Sequence, residues 1–104
     1  MRIIVNTNNA KDLRRRIFQK VERNEMQTWE KRTIKGKEYL THSAEQYIDK
    51  AYIELSTKQE NILIIKICKE NEDIDVRIVN IYYGKFISAV LNSFPELNES
   101  VLII

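Results

Sequence analysis

His42 is the only histidine in the chain, and an unperturbed pKa near neutrality makes it the one obvious side chain for moving a proton. It stands in a polar aromatic group, Trp29, Tyr39, His42, Tyr47 and Tyr52, that crowds the middle of the sequence. Trp and Tyr combine large contact area with a polar handle, so Trp29, Tyr39, His42 and Tyr47 read as a recognition surface, with Trp29 able to stack on a base. The plainer reading sets Trp29 and the tyrosines at the edge of the core and His42 in a loop ahead of a helix cap at Ser43.

A second group is cationic. Arg14, Arg15 and Arg16 are followed by Lys20 and Arg23. At about 100° per residue, with Ala10, Leu13, Ile17 and Val21 as the buried centre, Arg16, Lys20 and Arg23 share one flank of a helix. Lys31 and Arg32 extend this ridge, whose spacing could track phosphates of a nucleic acid. Its plain alternative is a solvated helix face with a weak Asp12–Arg16 pair. A third candidate is Tyr82-Tyr83-Gly84-Lys85, read as a strand-to-helix corner where helical amides and Lys85 could hold an anion, or where glycine only eases the backbone.

Strong motifs are absent. The two glycines, Gly36 and Gly84, cannot form a phosphate-binding loop, and one His with one Cys is no zinc cluster. No cofactor or metal is therefore expected, and an enzyme is the less favoured class. Cys68, alone in ILIIKICK, reads as a buried thiol in a reducing compartment. No apolar run approaches the roughly 20 residues of a membrane span, and MRIIVNTNN lacks a signal-peptide core, so a cytoplasmic protein without a membrane partner is expected. The net charge of +2 is unevenly spread. Residues 1–41 carry eleven Lys and Arg against five Asp and Glu, and residues 42–104 six against ten. One cationic surface is the implication.

The elements that must position these residues fit one domain of 104 residues, with 43% apolar and 31% charged residues and a single proline. Arg2 to Asn6 reads as a strand, and Asn9 caps a helix from about Ala10 to Asn24 with Asp12 in its first turn. Gln27 to Ile34 and EYLTH form a hairpin about Gly36. The capping box Ser43-x-x-Gln46 predicts a short helix to about Lys50. Ala51 to Thr57 alternates as a half-wet strand, Ile62 to Lys69 reads as a central strand, and ENED turns the chain. The β-branched and aromatic run Val76 to Tyr83 predicts a further strand broken by Gly84. Phe86, Ile87, Val90, Leu91 and Phe94 then mark a helix stopped by Pro95, and Val101 to Ile104 returns to the sheet, parallel to the run at 76–83 by a right-handed crossover. The predicted fold is α+β: a mostly antiparallel sheet of about five to seven strands with two main helices on it, in the order β-α-β-β-(α)-β-β-β-α-β.

The pattern Thr28-Trp29, Thr41-His42, Gln46-Tyr47 and Tyr83-Gly84-Lys85-Phe86 with Phe94 resembles that of small bacterial proteins of about this length with no assigned function. That resemblance implies a bacterial source and no activity. From the residues themselves, the expected function is a non-enzymatic binding or regulatory module acting on a protein partner or as a homo-oligomer. A nucleic-acid binder using the Arg-rich helix is the first alternative. A small toxin-like ribonuclease using His42 is the second.

Overall fold

The computed structural model describes residues 2–68 and 74–104. Lys69 and the expected ENED turn lie outside the described residues. One six-stranded antiparallel sheet carries two helices, as expected of the α+β class. Strand β1 (Ile3–Asn6) leads into helix α1 (Ala10–Glu22), the hairpin β2 (Trp29–Ile34) and β3 (Lys37–His42), then β4 (Tyr52–Gln59) and β5 (Ile62–Cys68). Helix α2 (Val76–Ser93), a single 3-10 turn at Pro95–Leu97 and strand β6 (Val101–Ile103) follow. The sheet order is β2-β3-β4-β5-β1-β6, so β2 and β6 are its two edges.

Local chemistry accounts for α1. The Asn9 side chain accepts the Asp12 amide at 3.0 Å, and Ala10, Leu13, Ile17, Phe18 and Val21 are the buried stripe. Asn24 takes a left-handed φ of 57°, while its amide donates to Val21 and that of Glu25 to Lys20. These two bonds satisfy carbonyls the helix would otherwise strand, and they stop it. The β2–β3 turn works similarly: Lys35 and Gly36, at φ 52° and 79°, make the two-residue mirror-image turn whose twist matches that of paired strands.

The segment 76–83 is the main correction. It is the first half of α2, capped by the Asp75 carboxylate, which accepts the Arg77 amide at 2.9 Å. A helical period runs unbroken through Gly84, with Ile78/Val79, Tyr82/Tyr83, Phe86/Ile87 and Val90/Leu91 repeating every four residues. Tyr82, Tyr83, Phe86 and Val90 are buried. Burying them at roughly 1.5–3 kcal/mol each outweighs the helix cost of about 1 kcal/mol for glycine and the modest β preference of valine and isoleucine. With that strand gone the parallel crossover goes too: β6 pairs antiparallel with β1, Ile3 opposite Ile103.

The Ser43–Lys50 segment is a series of turns rather than a helix, the amides of Tyr47 and Ile48 both donating to Ala44. With no helix there, the expected Ser43 cap has nothing to cap, and the Ala44 amide that opens the turns donates to His42 Nδ1 at 3.1 Å. Both helices join one buried cluster with Ile3, Val5, Ile53, Leu55, Leu63 and Ile65 of the sheet. Cys68 is half-buried at the end of β5, rather than sealed in the core as the apolar run around it implied.

Candidate functional site

Hairpin, turn segment and α2 bring Trp29, His42 and Tyr47 together, with Trp29 and His42 inside the protein and Tyr47 half-buried. Trp29 is 3% exposed and His42 4%, and Tyr39 is also buried. Three members of the expected recognition surface, Trp29, Tyr39 and His42, are therefore closed off from solvent, while Tyr47 stays half-buried. Trp29 sits edge-on to His42, Tyr82 and Phe86 with ring centroids 5.2, 5.7 and 5.0 Å away, and Tyr47 closes the far side of His42 at 5.4 Å. Edge-to-face pairs of this kind add stability beyond their area. Tyr39 instead packs its ring on Tyr52, 6.2 Å away.

A polar network underlies the rings. The Tyr82 hydroxyl donates to the Tyr47 carbonyl and touches Thr41 Oγ1 at 3.0 Å. Thr41, fully buried, donates to the Ala51 carbonyl at 3.1 Å and accepts the Asp49 amide at 3.0 Å. One helix residue thus clamps the turn segment to the end of β3. The Trp29 Nε1 is buried without a partner among the described residues.

His42 is poorly equipped for proton transfer. Because Nδ1 accepts the Ala44 amide, the neutral ring carries its hydrogen on Nε2. Burial, and then the nearby Lys85 charge, push its pKa down from the ordinary histidine value. It donates no hydrogen bond to a carboxylate among the described residues. The ring borders a shallow groove with Thr28, Lys85, Ser88 and Asn92. Gly84 and Lys85 lie in mid-helix, so the anion-binding corner expected at Tyr83-Gly84-Lys85 does not exist.

Of the five cations expected to form a basic ridge, four lie beside carboxylates. Arg16 lies 3.8 Å from Glu96 and over the Phe94 ring at 4.9 Å. Lys20 reaches Glu25 at 3.5 Å and the same ring at 5.4 Å. Lys31 binds Glu22 at 3.0 Å and Glu38 at 3.2 Å; its pKa is raised, chiefly by these two hydrogen bonds. Arg32 sits 3.0 Å from both Asp49 and Glu30, whose hydrogen bonds hold its pKa up. Arg23, at the exposed end of α1, completes the set. Asp12 pairs with Arg15 rather than with Arg16. Arg14 has a role the sequence did not show: its Nε donates to the Leu55 carbonyl at 3.1 Å while the guanidinium covers Phe18.

No group of three or more metal-ligating side chains occurs among the described residues. Among the described residues no helix is long and apolar enough to cross a membrane.

The surface feature that sequence reasoning missed is at the opposite end of the sheet. Leu102, Ile103 and Ile104 are 55%, 59% and 58% exposed, and Val76 at the start of α2 is 67% exposed. Ile103 also borders an apolar groove with Ile3, Asn80, Tyr83, Gly84 and Ile87, between β6 and the flank of α2. The uncharged run VLII carries the signal: its apolar residues place it in the sheet, but its position at an edge follows only from the strand order. No family model, curated protein or solved structure matches the chain.

Proposed function

We propose that the chain is a non-enzymatic binding module, a small bacterial regulatory protein of the cytoplasm that acts through protein–protein contact. The observation that carries this reading is the concentration of large exposed apolar side chains on β6 and the start of α2. Large apolar side chains held in water along a sheet edge are costly, and gathered at one strand they mark an interaction site. The chemistry-bearing candidates are spent elsewhere: His42, Trp29 and Tyr39 hold the interior, and Arg16, Lys20, Lys31 and Arg32 each face a carboxylate. Of the five expected cations Arg23 alone has no carboxylate beside it among the described residues, which weakens the nucleic-acid reading, since that reading needs several cations free for phosphates. The burial of His42 likewise weakens the ribonuclease reading, which needs an accessible proton-transfer group.

A photo-crosslinking residue installed at Leu102, and separately at Glu30 on the other sheet edge, tests the proposal in the source cells. The expected result is a discrete protein adduct, with this chain or another, from position 102 alone. No adduct at 102, or equal adducts at both positions, would overturn it.

A further inference from the structure

Resting on that reading, we infer that the occupant of this surface is a second copy of the chain, with β6 pairing antiparallel to β6 about a two-fold axis at Leu102 and doubling the six-stranded sheet to twelve strands. The backbone provides the first argument. Arg2 and Ile104 exchange amide–carbonyl bonds at 3.0 and 2.9 Å, and the Asn6 amide donates to Ser100 at 2.9 Å. In an antiparallel ladder bonded positions alternate, so Ile104, Leu102 and Ser100 face β1 and the amides and carbonyls of Val101 and Ile103 face outward. Pairing Val101 with Ile103 of the second copy, and the reverse, uses all four outward groups.

The side chains provide the second argument. A two-fold contact brings each residue near its own counterpart, so a charge at the axis meets a like charge. Asn80, Gly84, Ile87, Val101, Leu102 and Ile103 bring none. The other edge, β2, carries Glu30, Lys31 and Arg32, the usual guard against strand addition, whereas β6 has no charge, proline or bulge.

The third argument concerns size. A stable interface buries about 800 Å² per partner, more than a three-residue strand can supply, so a neighbouring surface must contribute. The flank of α2 adjoins β6 through the groove under Ile103, and a two-fold mate brings its own α2 against it. Gly84 fits this arrangement. It lies exposed in mid-helix without a positive φ, and a Cβ there would meet nothing within 4 Å, so nothing inside the chain calls for glycine. Close approach of a second helix does. An isolated strand from an unrelated protein would cover the edge and leave this flank bare.

Sedimentation equilibrium of the whole chain tests the inference, with the Leu102→Asp variant as comparison and circular dichroism as the check on folding. The wild type is expected to sediment at twice the chain mass, and Leu102→Asp to raise the dissociation constant by at least about tenfold. A Cys68→Ser protein carrying Leu102→Cys supplies a second readout that needs no destabilised variant. The two Leu102 Cα atoms would lie about 4.5 Å apart in a non-bonded pair, within disulfide range, so oxidation should link the copies far faster than Thr33→Cys does on β2. A monomeric wild type with no preferential crosslink at 102 would overturn the second copy as occupant. If the photo-adduct at 102 then contained a different protein, the binding-module reading would stand alone; with no adduct, both would fall.

Discussion

The two edges of the sheet are built on opposite plans. Strand β2 begins with a sealed tryptophan and continues through Glu30, Lys31 and Arg32, of which both cations are held by carboxylates. Strand β6 is three uncharged residues with Leu102 and Ile103 in solvent. Exposed charge costs nothing to hydrate and repels incoming strands, so β2 is finished as a surface. Exposed leucine and isoleucine on an open ladder leave β6 unfinished. The contrast shows that polar residue types alone do not locate function: the aromatics that looked like a recognition surface close the interior at one end, and plain aliphatics face water at the other.

The largest expected effect breaks the comparison at its closed end. Trp29→Ala removes the ring that touches His42, Tyr82 and Phe86, and should cost about 3–5 kcal/mol in urea unfolding. A cost below about 1 kcal/mol would mean the cluster is not part of the core. Tyr82→Phe comes next, at about 1–3 kcal/mol, because the Tyr47 carbonyl loses its donor and the His42 amide its acceptor. Equal stability of the two proteins would count against the clamp.

A smaller change sharpens the open end. In the Leu102→Asp background, where association is removed, Gly84→Ala should stabilise the fold by up to about 1 kcal/mol, since alanine is the better helix former and its methyl meets nothing. Destabilisation there would show that the chain itself needs the glycine. The smallest effect is on pH. Folding holds the His42 pKa below its unfolded value of 6.5, so only the unfolded chain takes up this proton as pH first drops below 6.5. The stability from keeping the ring neutral is present above that value. It is lost as pH falls through the depressed folded pKa. Urea midpoints across this range should decline for wild type and decline less for His42→Gln; identical slopes would remove His42 as the cause.

Sequence gave away what is local. Asn9 with Asp12 and the stripe from Ala10 to Val21 specify α1, and Gly36 specifies the hairpin turn, because the residues that satisfy these backbones are neighbours in the chain. What stayed hidden depends on distant partners. Trp29 lies among half-polar neighbours, and the residues that bury it, Tyr82 and Phe86, lie more than fifty positions away. The Arg16 ridge looked free because Glu96 meets it only after α2 has packed. The first half of α2 misled for another reason: valine, isoleucine and tyrosine favour strands on bare propensity, and only the four-residue repeat carried through Gly84 reveals the helix. Which strand becomes an edge is likewise set by sheet order, which no local pattern encodes.

Amide hydrogen exchange at Val101 and Ile103 tests the account most directly, since in a single copy those two amides point away from β1 into solvent. In the wild-type protein both should exchange slowly, and in Leu102→Asp both should approach free-chain rates while β1 and β5 keep their protection. Fast exchange at both positions in the wild type would contradict the claim that β6 is completed by another strand.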